Sequence, residues 1–300
     1  MDTRWFRRFG EPLAEAPRLL CFPHAGGAAS AYAPMARRLS PVIDVVAIQY
    51  PGRQDRRNEA PADGILDLAT RIADGIDLED PRPLAFFGHS MGALVAFETA
   101  RVLHGRSARA PVRLFLSGRG APGPAPNPHD LLTDDAAVLA AVRNLGGTDA
   151  SFLDDPELLA MVLPTLRADY GALAAYRWTA GPALNSPFTV LVGDSDPVVP
   201  VASVHGWARH TRQDNDVLVL AGGHFYLSER LDEVCAIVTG RLTTLSGGSS
   251  GIPDLGPIGS VGRRTEAGAG RTQAASGAGD AAAEGEPGRR DQRTAGSAVA

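Results

Sequence analysis

A serine between two glycines, Gly88-His89-Ser90-Met91-Gly92, follows the apolar run Leu84-Ala85-Phe86-Phe87 and precedes an apolar-faced helical pattern. A serine on a sharp strand-to-helix turn stands clear of its neighbours, so its hydroxyl can act as a nucleophile. The glycines have a steric purpose: elements approach so closely at such a turn that a side chain at either position would collide. Alone, the pentapeptide could be a surface serine in a glycine-rich turn. The strand before it and the unbroken helical stretch 91–103 after it single out Ser90 as a nucleophile.

A serine hydroxyl needs a base to take its proton. The chain has seven histidines, His24, His89, His104, His129, His205, His210 and His224. At an elbow of this kind the acid and then the histidine follow the serine in chain order. His224 satisfies the order, in the glycine turn Ala221-Gly222-Gly223-His224-Phe225 after the last strand candidate. His205 and His210 fall on a helix and His129 in a proline-rich loop, all read as surface residues. His104 ends a helix, where a cation suits the dipole, and His89 is the variable residue of the elbow.

The acid, which orients the imidazole and stabilises its charge, is expected after a late strand. Gly193-Asp194-Ser195-Asp196-Pro197 offers two. Asp194 follows the strand directly and could cap or form the turn; Asp196 stands two residues farther out, where it could better reach His224. Position alone leaves both open and leans to Asp196. For the tetrahedral oxyanion, one donor is the backbone N–H after the nucleophile, that of Met91. The other is expected from Phe22-Pro23-His24-Ala25-Gly26-Gly27, whose glycines let amides turn inward. Ala25 N–H is that candidate, with His24 bracing the loop.

These residues require a scaffold of alternating short apolar runs and helical patterns. Strands are predicted at 18–22, 42–48, 84–87, 112–117, 188–192 and 217–220, and helices at 33–39, 65–76, 91–103, 201–210 and 229–245. The alternation predicts an α/β protein with a mostly parallel sheet and helices on both faces. With the elbow, that is the α/β-hydrolase fold. Between 117 and 188 no strand signal occurs. The stretch opens with the proline-rich segment 121–128, and helical segments follow at 134–144 and 156–176. So long an excursion is usually functional, and 121–186 is read as a helical lid over the carboxyl edge of the sheet; the bland reading is a helical subdomain without a role.

Composition bounds the rest. Of 300 residues, 1–245 form the expected hydrolase domain, and 246–300 is a Gly/Ala/Ser/Arg-rich tail without Phe, Trp or Tyr, expected to be disordered. The 29 cationic residues are all arginine, which excludes a Schiff-base lysine and a lysine-bearing P-loop. A net charge of −5 gives no excess with which to bind nucleic acid. Cys21 and Cys235, far apart in apolar stretches, read as buried thiols of a reducing compartment. No signal peptide or membrane-spanning run is apparent, so a cytoplasmic location with no membrane partner is expected. There is no His-Glu-x-x-His and no Gly-x-Gly-x-x-Gly opening a first βαβ unit, so neither a metal nor a cofactor is expected.

Taken together, the chain resembles the type II thioesterases of polyketide synthase and nonribosomal peptide synthetase systems, from about Arg4 to Leu242. The carriers are the segments 21–27 and 88–92, Gln49-Tyr50-Pro51-Gly52-Arg53, Leu163-Pro164-Thr165-Leu166-Arg167-Ala168-Asp169, and the segments 193–197 and 222–225. The resemblance implies a triad of Ser90, Asp196 and His224. It also implies hydrolysis of acyl thioesters on the phosphopantetheine arm of acyl or peptidyl carrier proteins, clearing stalled or misprimed units. It does not account for the tail, and it assigns no chemistry to Arg53 or to 163–169. For Arg53, packing or a surface ion pair is expected ahead of a phosphate contact. Met1 starts almost directly on the fold, which favours a free-standing editing enzyme over a product-releasing domain. The motifs would also suit a general small-ester hydrolase of the same fold or a non-catalytic module that binds carrier proteins.

Overall fold

The alternation of side chains along each strand sorts the apolar residues onto two faces, and helices cover both. The computed structural model describes residues 1–106, 108–146 and 154–243; the tail expectation for 246–300 lies outside them. Seven strands form one sheet in the order β1-β3-β2-β4-β5-β6-β7. They are β1 Phe6–Arg8, β2 Arg18–Phe22, β3 Asp44–Ile48, β4 Leu84–His89, β5 Arg113–Ser117, β6 Phe188–Gly193 and β7 Asn215–Leu220. All neighbours pair in parallel except β1, which runs antiparallel to β3 at the edge.

Leu20, Phe22, Phe86, Leu114 and Val190 point to one face, where they pack with α2 (Ile65–Gly75) and α3 (Met91–Gly105). Leu19, Cys21, Phe87, Phe115 and Leu191 point to the other and pack with α1 (Ala33–Leu39) and with α8 (Leu231–Thr243) near the carboxyl end. Cys21 and Cys235 are both buried free thiols.

Between β5 and β6 lie α4 (Asp135–Leu145) and α5 (Pro156–Ala175). Each starts on an aspartate cap: Asp134 accepts from Ala137 N–H, and Asp155 from Glu157 and Leu158 N–H. Val138 of α4 and Leu166 and Tyr170 of α5 form a separate small core that takes in Ala25. The proline-rich segment before α4 is held from below, where Trp207 Nε1 donates to Arg119 O at 2.8 Å and His210 Nε2 lies 3.0 Å from Pro122 O. The far end of α5 is held by Tyr176, whose hydroxyl donates to Glu98 of α3 at 2.6 Å.

Several expectations change. The edge strand β1 was not foreseen. The helix expected over 201–210 is a four-residue α6 (Val201–Val204) continued as a 3-10 helix His205–His210, and His210 is buried rather than on the surface. The final helix is preceded by a separate short turn, α7 (Tyr226–Glu229). Among the described residues α5 is long and apolar enough to cross a membrane by length and composition, contrary to the expectation that no run is. It carries Glu157, Arg167 and Asp169, and Arg167 pairs with Asp135 of α4.

Candidate active site

Register brings the chemical residues to one end of the sheet. Phe22 pairs with Gly88, so the loop after β2 lies beside the elbow after β4. Gly193 pairs with Leu220, so the loops that carry Asp196 and His224 are neighbours. At the elbow, Ser90 has φ 55° and ψ −119°, a strained conformation for a residue with a β-carbon. Its N–H donates to Ser117 O at 2.8 Å. A β-carbon on Gly92 would lie 1.9 Å from Phe22 O, and one on Gly88 2.2 Å from Gly92 O, so both glycines are sterically obligatory.

His224 Nδ1 lies 2.7 Å from Asp196 Oδ2, with both side chains buried. The other carboxylate oxygen, Oδ1, accepts the N–H groups of Val198 and Val199 at 2.9 and 3.0 Å. Asp194 is occupied differently: its Oδ1 accepts Gly222 N–H at 3.0 Å and the Ser195 hydroxyl at 3.1 Å. It braces the histidine loop from outside, and those bonds hold its carboxyl below the usual range.

His24, His89 and His224 cluster with Phe225; the His89 and His224 ring centroids are 5.1 Å apart. Burial, then the neighbouring His224 and Arg53, push the His24 imidazole down to about 4. Burial holds the His89 imidazole well below its ordinary value too. His89 Nδ1 lies 2.9 Å from Ser117 Oγ, which in turn contacts the Tyr226 hydroxyl at 2.5 Å, while His89 Nε2 has no hydrogen-bond partner.

Ser90, Ala25 and His224 wall a cavity of about 90 Å³ whose opposite wall is Val142, Val162 and Leu166 of α4 and α5. An adjoining space of about 40 Å³ shares Ser90, Ala25 and His224 and reaches Arg119, His129 and Asp130. Those three also border a larger cavity of about 390 Å³ between the proline-rich segment and Tyr176–Trp178. His129 therefore lines the approach to Ser90, a place its loop position in the sequence did not reveal. Asp130 forms a buried ion pair with Arg119. Arg53, expected to pack or to pair at the surface, is buried and paired with Asp169 of α5. Among the described residues no group of three or more His, Cys, Asp and Glu side chains could hold a metal ion.

A seven-stranded, mostly parallel sheet with a serine on a strand-to-helix elbow and a histidine–carboxylate pair beside it defines an α/β-hydrolase. More narrowly, residues 17–242 match the thioesterase domain family, and the chain belongs to that family. It is 43% identical over 245 residues to the thioesterase PikA5 of Streptomyces venezuelae, covering 81% of this chain and 87% of that protein. It is 34% identical to the gramicidin S biosynthesis protein GrsT of Aneurinibacillus migulanus, covering 80% and 94%. Among solved structures it resembles the type II thioesterase BorB of the borrelidin biosynthetic cluster, with a TM-score of 0.72, 40% identity, and coverage of 79% and 97%.

Proposed function

We propose that the chain is an editing thioesterase that hydrolyses acyl groups from the phosphopantetheine arms of acyl or peptidyl carrier proteins. The observation that carries this reading is the His224–Asp196 hydrogen bond beside a strained Ser90, in a cavity whose far wall is apolar helix. An ionised Asp196 can only accept, which places a proton on His224 Nδ1 and leaves Nε2 as the base. Ser90 Oγ attacks the thioester carbonyl while Nε2 takes its proton. The N–H groups of Ala25 and Met91 receive the oxyanion; as it collapses the C–S bond breaks and His224 Nε2–H gives its proton to the departing pantetheine sulfur, leaving the acyl-enzyme and a neutral His224. A water activated by His224 then releases the acid. Ser90, Asp196 and His224 are the triad of this reading.

The helical segment 121–186 acts as a lid, with the arm reaching Ser90 through the linked cavities along the proline-rich segment. A cytoplasmic location, beside the carrier proteins, accompanies the proposal. The test compares one acyl group on a carrier protein, on N-acetylcysteamine and as a nitrophenyl ester. Remote binding of carrier and arm should raise kcat/KM on the carrier substrate above the minimal thioester. Equal or better efficiency on the minimal thioester removes carrier recognition, and preference for the nitrophenyl ester leaves a general esterase.

A further inference from the structure

Asp169 takes no part in the chemistry above, yet it is a buried carboxylate that touches the oxyanion loop. It sits on α5, and its Oδ2 accepts Gly26 N–H at 2.7 Å across 143 residues of sequence. The same carboxylate holds the guanidinium of Arg53, whose Nε donates to Gly27 O at 3.2 Å and whose Nη1 donates to Pro51 O at 2.7 Å. α5 grips the loop a second time through Leu166. Gly26 has φ +75°, and a β-carbon there would lie 2.7 Å from Leu166 Cδ2.

Gly26 N–H shares a peptide plane with the carbonyl of Ala25. Pinning that plane restricts ψ of Ala25, whose own N–H, in the neighbouring peptide plane, is the oxyanion donor of the proposed mechanism. We infer that Asp169 is a positioning residue for the oxyanion hole: held by Arg53, its carboxylate fixes Gly26 N–H, so that seating α5 and orienting Ala25 N–H become one event. The inference rests on the serine-thioesterase reading. It gives the cavity wall a second role. An acyl group between Ser90 and the Val162–Leu166 face of α5 favours the seated helix, and its binding is then expressed in kcat. Burial raises the Asp169 carboxyl above its ordinary range, and Arg53 and the Gly26 N–H oppose that rise.

The experiment separates the acceptor from the charge. In an Arg53→Met background, Asp169→Asn retains an oxygen for Gly26 N–H, whereas Asp169→Leu has nearly the same shape and none. Both lack the ion pair, so the loss of charge is common to them. The leucine form should have a kcat about 10- to 100-fold below the asparagine form on a minimal thioester, with KM changed less than about threefold. That is smaller than the roughly 10²- to 10³-fold cost of deleting an oxyanion donor. A trifluoromethyl ketone analogue, whose adduct with Ser90 places an oxyanion in the hole, should lose affinity by the same factor.

If leucine overpacks the site, Asp169→Ala in the same background makes the same comparison. Equal kcat for the folded acceptor-bearing and acceptor-free forms overturns the inference. So does a loss confined to KM or to melting temperature with analogue affinity intact. The wild-type chain keeps the two readings apart: an inert wild type refutes the thioesterase proposal itself, whereas an active wild type with indifferent variants refutes only the role of Asp169.

Discussion

Ser90 carries its hydroxyl on backbone held at φ 55°, with its N–H fixed to Ser117 O. Ser90→Ala removes the hydroxyl and almost no volume, so kcat should fall by roughly three orders of magnitude or more at an unchanged melting temperature. Steady-state thioester hydrolysis and a thermal melt check both halves; a folded variant with wild-type turnover would sink the serine mechanism. The two aspartates differ by what they touch. Asp196→Asn places an amide against His224 Nδ1 and disturbs the tautomer, whereas Asp194→Asn loosens only the Gly222 turn. Turnover should fall far more in the first, and the reverse ranking in variants of equal melting temperature would move the acid. His24 supplies a pH test. An unfolded chain titrates it near 6.5 and the folded one at about 4. Between these values the unfolded state binds more protons, so stability fully present above pH 6.5 is lost as pH falls toward 4. The loss attributable to His24 is at most about 3 kcal/mol. His24→Gln, which does not titrate, should flatten that limb of melting temperature against pH, and parallel curves for the two proteins would refute it.

At the scale of elements, strand register assembles the site and close backbone contacts preserve it. Gly92 of α3 lies directly against the carbonyl of Phe22 at the end of β2. Gly92→Ala must separate β2 from the elbow, at a cost of about 3 kcal/mol or more. At roughly 2–4 °C per kcal/mol the melting temperature should drop by about 10 °C, measurable by circular dichroism; a shift within one degree would mean the elbow can relax. Six of the seven strands and the elbow were legible in the sequence, because their apolar runs are bounded by turn residues; the order of the strands in the sheet was not read from it. β1 was not, since three residues pairing at an edge have no period to detect. The 3-10 helix His205–His210 read as α-helix because its apolar spacing fits either. In the site, Asp194 and Asp196 could be ordered only by reach, which their hydrogen bonds express and the sequence does not. The Arg53–Asp169 pair joins residues 116 apart, and no local pattern marks such a contact. Its two motifs were visible as separate segments, each without a partner.

At the scale of the molecule, the described cores end with α8. Val234, Val238 and Leu242 are fully buried against the sheet. The family match also stops at residue 242. The segment 246–300 brings no aromatic residue, and Gly, Ala, Ser and Arg dominate it. Apolar burial is the main source of folding free energy, at about 25 cal/mol per Å², and this segment has little to contribute. The catalytic end of the sheet is likewise built from loops within residues 22–225 and from α4 and α5. A chain ending at Leu245 should therefore melt within about 2 °C of the full-length protein and hydrolyse a minimal thioester with the same kcat and KM. The comparison on carrier-bound substrate is the sharper one, since the docking surface for a protein partner is not confined to the cavity. Equal kcat/KM on both substrates would assign stability, chemistry and carrier recognition to residues 1–245. A truncated chain that lost several degrees would show that the tail adds packing to the domain. One that lost efficiency on the carrier alone would give the tail a part in recognition, which its composition does not foretell.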